Sequence, residues 1–353
     1  ADKDVRTCFE LSRQQAAHQE LGLRIQLRMS DPILMALPWE YLYDPNEGEF
    51  LCLMSNISLV HYIQQKRPVL PLEVHLPLRV LCMAPSPKEY AQLDVSKERQ
   101  RIDNALSELK KKGDLEVHWL EGCQSWRNLN KVLIADGPWH IFHFIGHGGF
   151  DIAGDQGLLA FEDEDSGNAK LISATDLARV ITQKNSSLRL VLLNACNSAH
   201  SGQESFSSIA AMLARRGLPA VIAMQHPITD RAAIEFSRSF YEMMVVNPCI
   251  DAAVAEARKA IAIELNPTLE WGVPVLYLRS QDGRLFDLQH KESEKPTGIS
   301  IGNISNISGS VINIGSGDVR SQTPSRNSLS SQSPFKPTDH SHNDPLLKPF
   351  EDQ

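Results

Sequence analysis

Apolar and polar positions change rhythm along this chain, and each change predicts a different kind of element. Leu23, Ile25, Leu27 and Met29 alternate with Arg24, Gln26, Arg28 and Ser30, the period of two expected of a strand with one buried face. After Asp31-Pro32 the alternation stops. Leu37-Pro38-Trp39-Glu40-Tyr41-Leu42-Tyr43 reads as a short helical turn closed by Asp44-Pro45, and residues 50–54 and 58–63 read as further strands, so residues 1–76 form a small β-rich, antiparallel preface.

From Leu78 the rhythm becomes strand, helix, strand, helix. Near-continuous apolar runs at 78–83, 115–120, 140–145, 157–161, 188–193, 220–224 and 273–278 predict strands, and runs without alternation belong to a sheet covered on both faces. Val95, Ile102, Leu106 and Leu109 share one helical stripe, and helices are expected near 125–135, 173–182, 206–215, 230–245 and 251–264. Ser173 with Asp176 three residues on makes a capping arrangement, and Gly217-Leu218-Pro219 stops a helix. The class is α/β: a mostly parallel sheet between two helical layers, over 77–287. After about Asp287 the composition shifts to Ser, Pro, Asn and charge with few aromatics, so 288–353 reads as a low-complexity tail without a core of its own.

Composition narrows the function. With 353 residues and 42 % hydrophobic content the chain can bury a substantial core. A net charge of −8 and the lack of a Lys/Arg stripe argue against nucleic acid as a ligand. No apolar run has the length of a membrane span and the N-terminus has no secretory pattern, so a cytoplasmic protein is expected. The chain begins with Ala1, as a piece of a longer protein would. Its six cysteines show no paired spacing, which suits reduced thiols.

Two strand ends carry the chemistry. His147 follows Ile141-Phe142-His143-Phe144-Ile145-Gly146, and Cys196 follows Leu190-Val191-Leu192-Leu193-Asn194-Ala195. In such sheets reactive groups gather beyond the carboxyl ends of the strands, so both can reach one rim. A thiolate is a strong nucleophile near neutral pH and needs a base, which imidazole supplies. Gly146 and Gly148 flank His147 and permit a tight turn and close approach of a substrate backbone; N–H groups at Gly148 and Cys196 are candidate oxyanion donors. The local pattern also fits a simply buried histidine and cysteine, but their separation of 49 positions is close to the roughly 50 of the caspase arrangement.

Other polar features have blander readings. His140, His143 and His147 could suggest a metal, but on a strand the first two point to opposite faces, and His143 reads better as a hydrogen-bonded core residue. The acidic run Glu162-Asp163-Glu164-Asp165 could select a basic side chain or bind calcium, and reads first as a solvated loop. Trp39-Glu40 and Trp271-Gly272 read as buried anchors.

With these residues assembled, the chain resembles the CHAT proteases, the caspase-like branch related to separases. The resemblance runs through Leu37-Pro38-Trp39-Glu40 with Tyr43-Asp44-Pro45, His143-Phe144-Ile145-Gly146-His147-Gly148, Leu193-Asn194-Ala195-Cys196, Ala220-Val221-Ile222-Ala223-Met224-Gln225 with Pro227-Ile228, and Trp271-Gly272-Val273-Pro274 with Arg279-Ser280. It implies a caspase-hemoglobinase fold, His147 as general base, Cys196 as the nucleophile of an acyl-enzyme, a protein substrate, and no metal or organic cofactor. Asn194-Ala195-Cys196-Asn197-Ser198 departs from the caspase run, so aspartate specificity is not carried over. Members of the family usually act as effectors in signalling assemblies, including defence and cell-death systems.

Within the tail, 299–315 is uncharged, free of Pro and rich in Ile, Asn and Gly, a cross-β composition. Val311-Ile312-Asn313-Ile314-Gly315 resembles the core of amyloid signalling motifs, which implies a receptor or adaptor bearing a matching segment; an edge strand on the protease domain explains the same residues equally well. Two rivals to an endopeptidase stand beside it: a catalytically silent scaffold assembling through this segment, and a hydrolase or transferase of small acyl substrates.

Overall fold

In this computed structural model the described residues are 3–29, 31–35, 37–64, 69–90, 94–151, 153–154, 156–182, 187–195 and 205–289. The chain opens with helix α1 (Lys3–His18), strand β1 (Leu23–Leu27), a single turn α2 (Pro32–Met35), a hairpin β2 (Tyr43–Asp44) and β3 (Glu49–Phe50), then β4 (Ile57–Tyr62) and β5 (Leu72–His75). The α/β body follows with β6 (Leu78–Met83), α3 (Val95–Ala105), α4 (Ser107–Lys112), β7 (Leu115–Trp119), α5 (Trp126–Ala135), β8 (Ile141–Gly146), β9 (Gly148–Asp151), β10 (Gln156–Glu162) and β11 (Ala169–Ser173). It closes with α6 (Ala174–Thr182), β12 (Leu190–Ala195), α7 (Ser205–Arg215), β13 (Ala220–Met224), α8 (Asp230–Val246), α9 (Ile250–Glu264), β14 (Pro274–Leu278) and β15 (Phe286–Gln289).

Eight of these strands form one sheet in the order β1-β4-β14-β13-β12-β8-β6-β7. Every pairing in it is parallel except β13 with β14. Helices α3, α8 and α9 pack together in one layer, and α5, α6 and α7 in the other. This is the expected three-layer sandwich. The central strands are buried at nearly every described position because both faces meet helices: Val80, Phe142, Phe144, Leu192, Ile222 and Leu276 have essentially no exposed surface, and Arg79 of β6 is half-buried.

The helix starts follow from short polar side chains that satisfy otherwise orphaned N–H groups. Ser125 Oγ accepts from Asn128 N–H at α5 (3.1 Å). Ser173 Oγ accepts from Asp176 N–H (3.1 Å) and donates to Asp176 Oδ2 (2.8 Å), the expected cap of α6. The stop after α7 uses Gly217 at φ +128°, where a side chain would be strained.

The N-terminal region carries the small antiparallel element expected and also contributes strands to the main sheet. An antiparallel element is present as the β2–β3 hairpin, but β1 and β4 pair in parallel and join the main sheet. The reason lies in β4, whose Ile57, Leu59, Val60 and Tyr62 are all buried, so it demands neighbours on both sides, whereas half-buried β1 alternates because it is the sheet edge. Residues 1–76 are therefore continuous with the body, and Arg24 on β1 fixes the join with two bonds to Asp251 of α9 (2.7 and 2.8 Å). Other departures are local. The stripe from Val95 to Leu109 is split between α3 and α4, residues 51–53 form a 3-10 turn where a strand was expected, and α1 had no strong signal because it buries nothing. The last described strand, β15, pairs with β5 up to Gln289; the tail segment 299–315 lies outside the described residues.

Candidate functional site

Strands β8 and β12 are direct parallel neighbours, with Ile145 opposite Asn194 and Gly146 opposite Ala195. The next residue on one strand is His147 and on the other Cys196. Cys196 itself lies outside the described residues. His147 forms the joint between β8 and β9, and its carbonyl accepts from Ala160 N–H of β10 (3.0 Å). That bond places His147 and Ala160 in a hydrogen-bonded pair, so the adjacent pair, Gly148 with Leu159, is of the opposite type, and the Gly148 N–H points away from β10. Gly146 fits a tight space, because a Cβ there would come within 3.0 Å of Phe144 Cζ and 3.4 Å of Pro85 Cδ.

The His147 imidazole is 1 % exposed and tilts against the ring of Tyr90 at 4.9 Å between centroids. Burial holds its pKa below the ordinary imidazole value. It is therefore neutral near pH 7, the form that accepts a proton.

The other two histidines of this segment have separate partners. His143, inside β8, has Nδ1 3.3 Å from the Tyr241 hydroxyl, and burial lowers its pKa to about 3. His140 Nδ1 accepts from Arg79 N–H (2.9 Å), and its pKa falls to about 4, first through burial and then through nearby Arg79 and Arg189. Both are held neutral as core hydrogen-bonding groups.

The acidic run is more than a solvated loop. Glu162 accepts from Ser86 N–H (3.0 Å) and Gln124 N–H (2.9 Å), and Glu164 from Ser125 Oγ (2.6 Å). Asp163 Oδ1 gathers the N–H groups of Asp165 and Ser166 and the Ser166 hydroxyl. The run braces loops at the carboxyl ends of β6 and β7.

Trp39-Glu40 and Trp271-Gly272 meet across the fold. Glu40 has no exposed surface, yet its carboxylate lies 3.2 Å from His61 Nε2, 3.2 Å from Gln225 Nε2 and 3.6 Å from the buried Arg258 guanidinium. Gln225 also donates to Gly272 O (3.1 Å). Trp271 packs with Tyr41 and Phe50, and a Cβ on Gly272 would lie 2.5 Å from the Tyr41 ring. Trp271 is the buried anchor expected, whereas Trp39 is only half-buried against the core; the buried Glu40 network was not legible, because its members lie up to 218 positions apart (Glu40 to Arg258). Tyr90 likewise carried no signal, as a lone aromatic in a polar loop.

The CHAT domain family model matches residues 6–290. No curated protein matches this chain. Among solved structures, one similar to it is the crystal structure of the Saccharomyces cerevisiae separase-securin complex, at 16 % identity and a TM-score of 0.40, covering 72 % of this chain and 15 % of that one; this chain thus corresponds to a small part of that protein's length. With the family model spanning both strand ends, the Trp-Glu turn and the Trp-Gly turn, the chain belongs to the CHAT domain family.

Proposed function

We propose that this protein is a cysteine endopeptidase in which His147 is the general base and Cys196 the nucleophile. The observation that carries this reading is the β8–β12 register. Gly146 and Ala195 are opposite each other, and because successive Cα atoms are only about 3.8 Å apart, residues 147 and 196 each start one step beyond that pair. Further support comes from the other thiols. Burial raises the pKa of Cys52, Cys82, Cys123 and Cys249, the last to about 11, which leaves them protonated and poorly nucleophilic.

In the proposed reaction His147 takes the Cys196 proton, and the sulfur attacks the scissile carbonyl carbon. The oxyanion is held by the N–H groups of Gly148 and Cys196. The C–N bond breaks as the imidazolium returns the proton to the leaving amine, and water then hydrolyses the thioester, with His147 again acting as base. The substrate is a partner protein, and cleavage makes this chain an effector in a signalling or defence system. A partner sharing segment 299–315 would concentrate copies and drive activation.

The test is incubation with a peptidyl electrophile followed by mass spectrometry. Cys196 is labelled in the wild type, and His147→Ala removes the label. Labelling of Cys8 or Cys249 with Cys196 untouched would overturn the reading. A search for new protein termini that vanish with Cys196→Ala would identify the substrate.

A further inference from the structure

We propose that Tyr90 is a positioning residue for the His147 imidazole, and that the acidic β10–β11 turn is the buckle that holds Tyr90 in place. This deepens the peptidase reading and rests on it for its catalytic meaning. Four cross-links join the segment after β6 to that turn: Ser86 N–H to Glu162 Oε1 (3.0 Å), Lys88 N–H to Gly167 O (3.2 Å), Lys88 Nζ to Ser166 O (2.7 Å), and Ala169 N–H to Glu89 Oε2 (3.1 Å). Glu162 simultaneously holds Gln124 N–H (2.9 Å), and Gln124 Oε1 accepts from Ala84 N–H (3.3 Å), so the same carboxylate pins both ends of the segment's root.

The turn is built to present these acceptors. Asp163 folds it around Ser166, and Gly167 has φ +70°, where a Cβ would press within 3.0 Å of Lys88 Cε. Tyr90 closes the segment with its N–H on Pro87 O (3.2 Å) and its ring 4.9 Å from the His147 imidazole at an interplanar angle of 37°. A ring held there fixes the imidazole's orientation and excludes water from one face. The charged groups of the assembly are committed elsewhere, Glu162 to two backbone donors, Glu89 to Ala169 and Lys88 to Ser166. Behind His147, β10 contributes the backbone of Ala160.

The experiment is an NMR pH titration of the His147 imidazole in full-length Cys196→Ala protein, so that the thiol does not share the titration. His147 titrates below the ordinary value of about 6.5; Tyr90→Ala moves it up toward that value, and Tyr90→Phe leaves it low. Glu162→Gln also moves it up, but adds nothing in a Tyr90→Ala background, as coupled residues require. An unchanged titration in Tyr90→Ala, or an equal Glu162→Gln shift with and without Tyr90, overturns the proposal. Glu162→Gln leaves the ring intact, so it exposes the proposal to failure even if Tyr90→Ala does not fold. With Cys196 restored, Tyr90→Ala slows electrophile labelling by about 10–100-fold. Absence of labelling in the wild type would sink the peptidase reading alone, since the titration still reports on Tyr90.

Discussion

Two buried histidines, His61 and His147, occupy contrasting environments in this fold. His61 sits on β4 with Glu40 3.2 Å away, and Arg258 and Gln225 complete the charge and hydrogen-bond partners of that carboxylate. His147 sits past the end of β8 against an aromatic ring, and burial is what lowers its pKa. A histidine tied to a carboxylate and a guanidinium locks strands, helix and turn together. An imidazole kept neutral at a strand end is ready to take a proton. The Trp-Glu and Trp-Gly segments are thus structural in this chain.

The sharpest way to break this contrast is to cross the two sites. Cys196→Ala is expected to reduce turnover by about 10⁴-fold or more with the unfolding midpoint unchanged. Glu40→Ala is expected to cost about 3–5 kcal/mol of stability, because it leaves the Arg258 charge buried without its carboxylate; urea unfolding measures it. A stable Glu40→Ala protein would erase the distinction. A smaller effect is expected from Gly272→Ala, whose Cβ would press on the Tyr41 ring, costing about 1–3 kcal/mol with the labelling rate of the folded fraction preserved.

A further effect is graded with pH. His140 and His143 are held neutral in the folded protein and titrate near 6.5 once unfolded. Between those limits the unfolded chain binds more protons, so stability is full above about pH 6.5 and declines below it, toward about 4 for His140 and about 3 for His143. Thermal unfolding from pH 7 to pH 4 should show this slope, and His143→Leu should flatten it while lowering stability at pH 7 through the stranded Tyr241 hydroxyl.

Much of the body was legible because buried parallel strands have a simple signature. Leu78–Met83 and Ala220–Met224 match their expected bounds, and the Ser125 and Ser173 caps mark helix starts within a residue. The N-terminal region was harder to read. Alternation in Leu23–Leu27 reveals a strand with one covered face but says nothing of direction, and the parallel partner Ile57–Tyr62 lies 34 positions along the chain. The site was half legible: His147 stood out between its glycines, whereas Tyr90 and Glu162 gained meaning only from each other.

The sequence by itself determined the α/β class, most strands and helices of residues 77–287, and the two strand ends where chemistry is expected, since hydrophobic period and capping are local properties. Tertiary structure alone decided that β1 and β4 complete the sheet, that Glu40 is sealed among Arg258, Gln225 and His61, and that an acidic turn holds a tyrosine against His147. These depend on which distant residues share a buried volume, and there the need of every buried polar group for a partner selects an arrangement that no local pattern encodes.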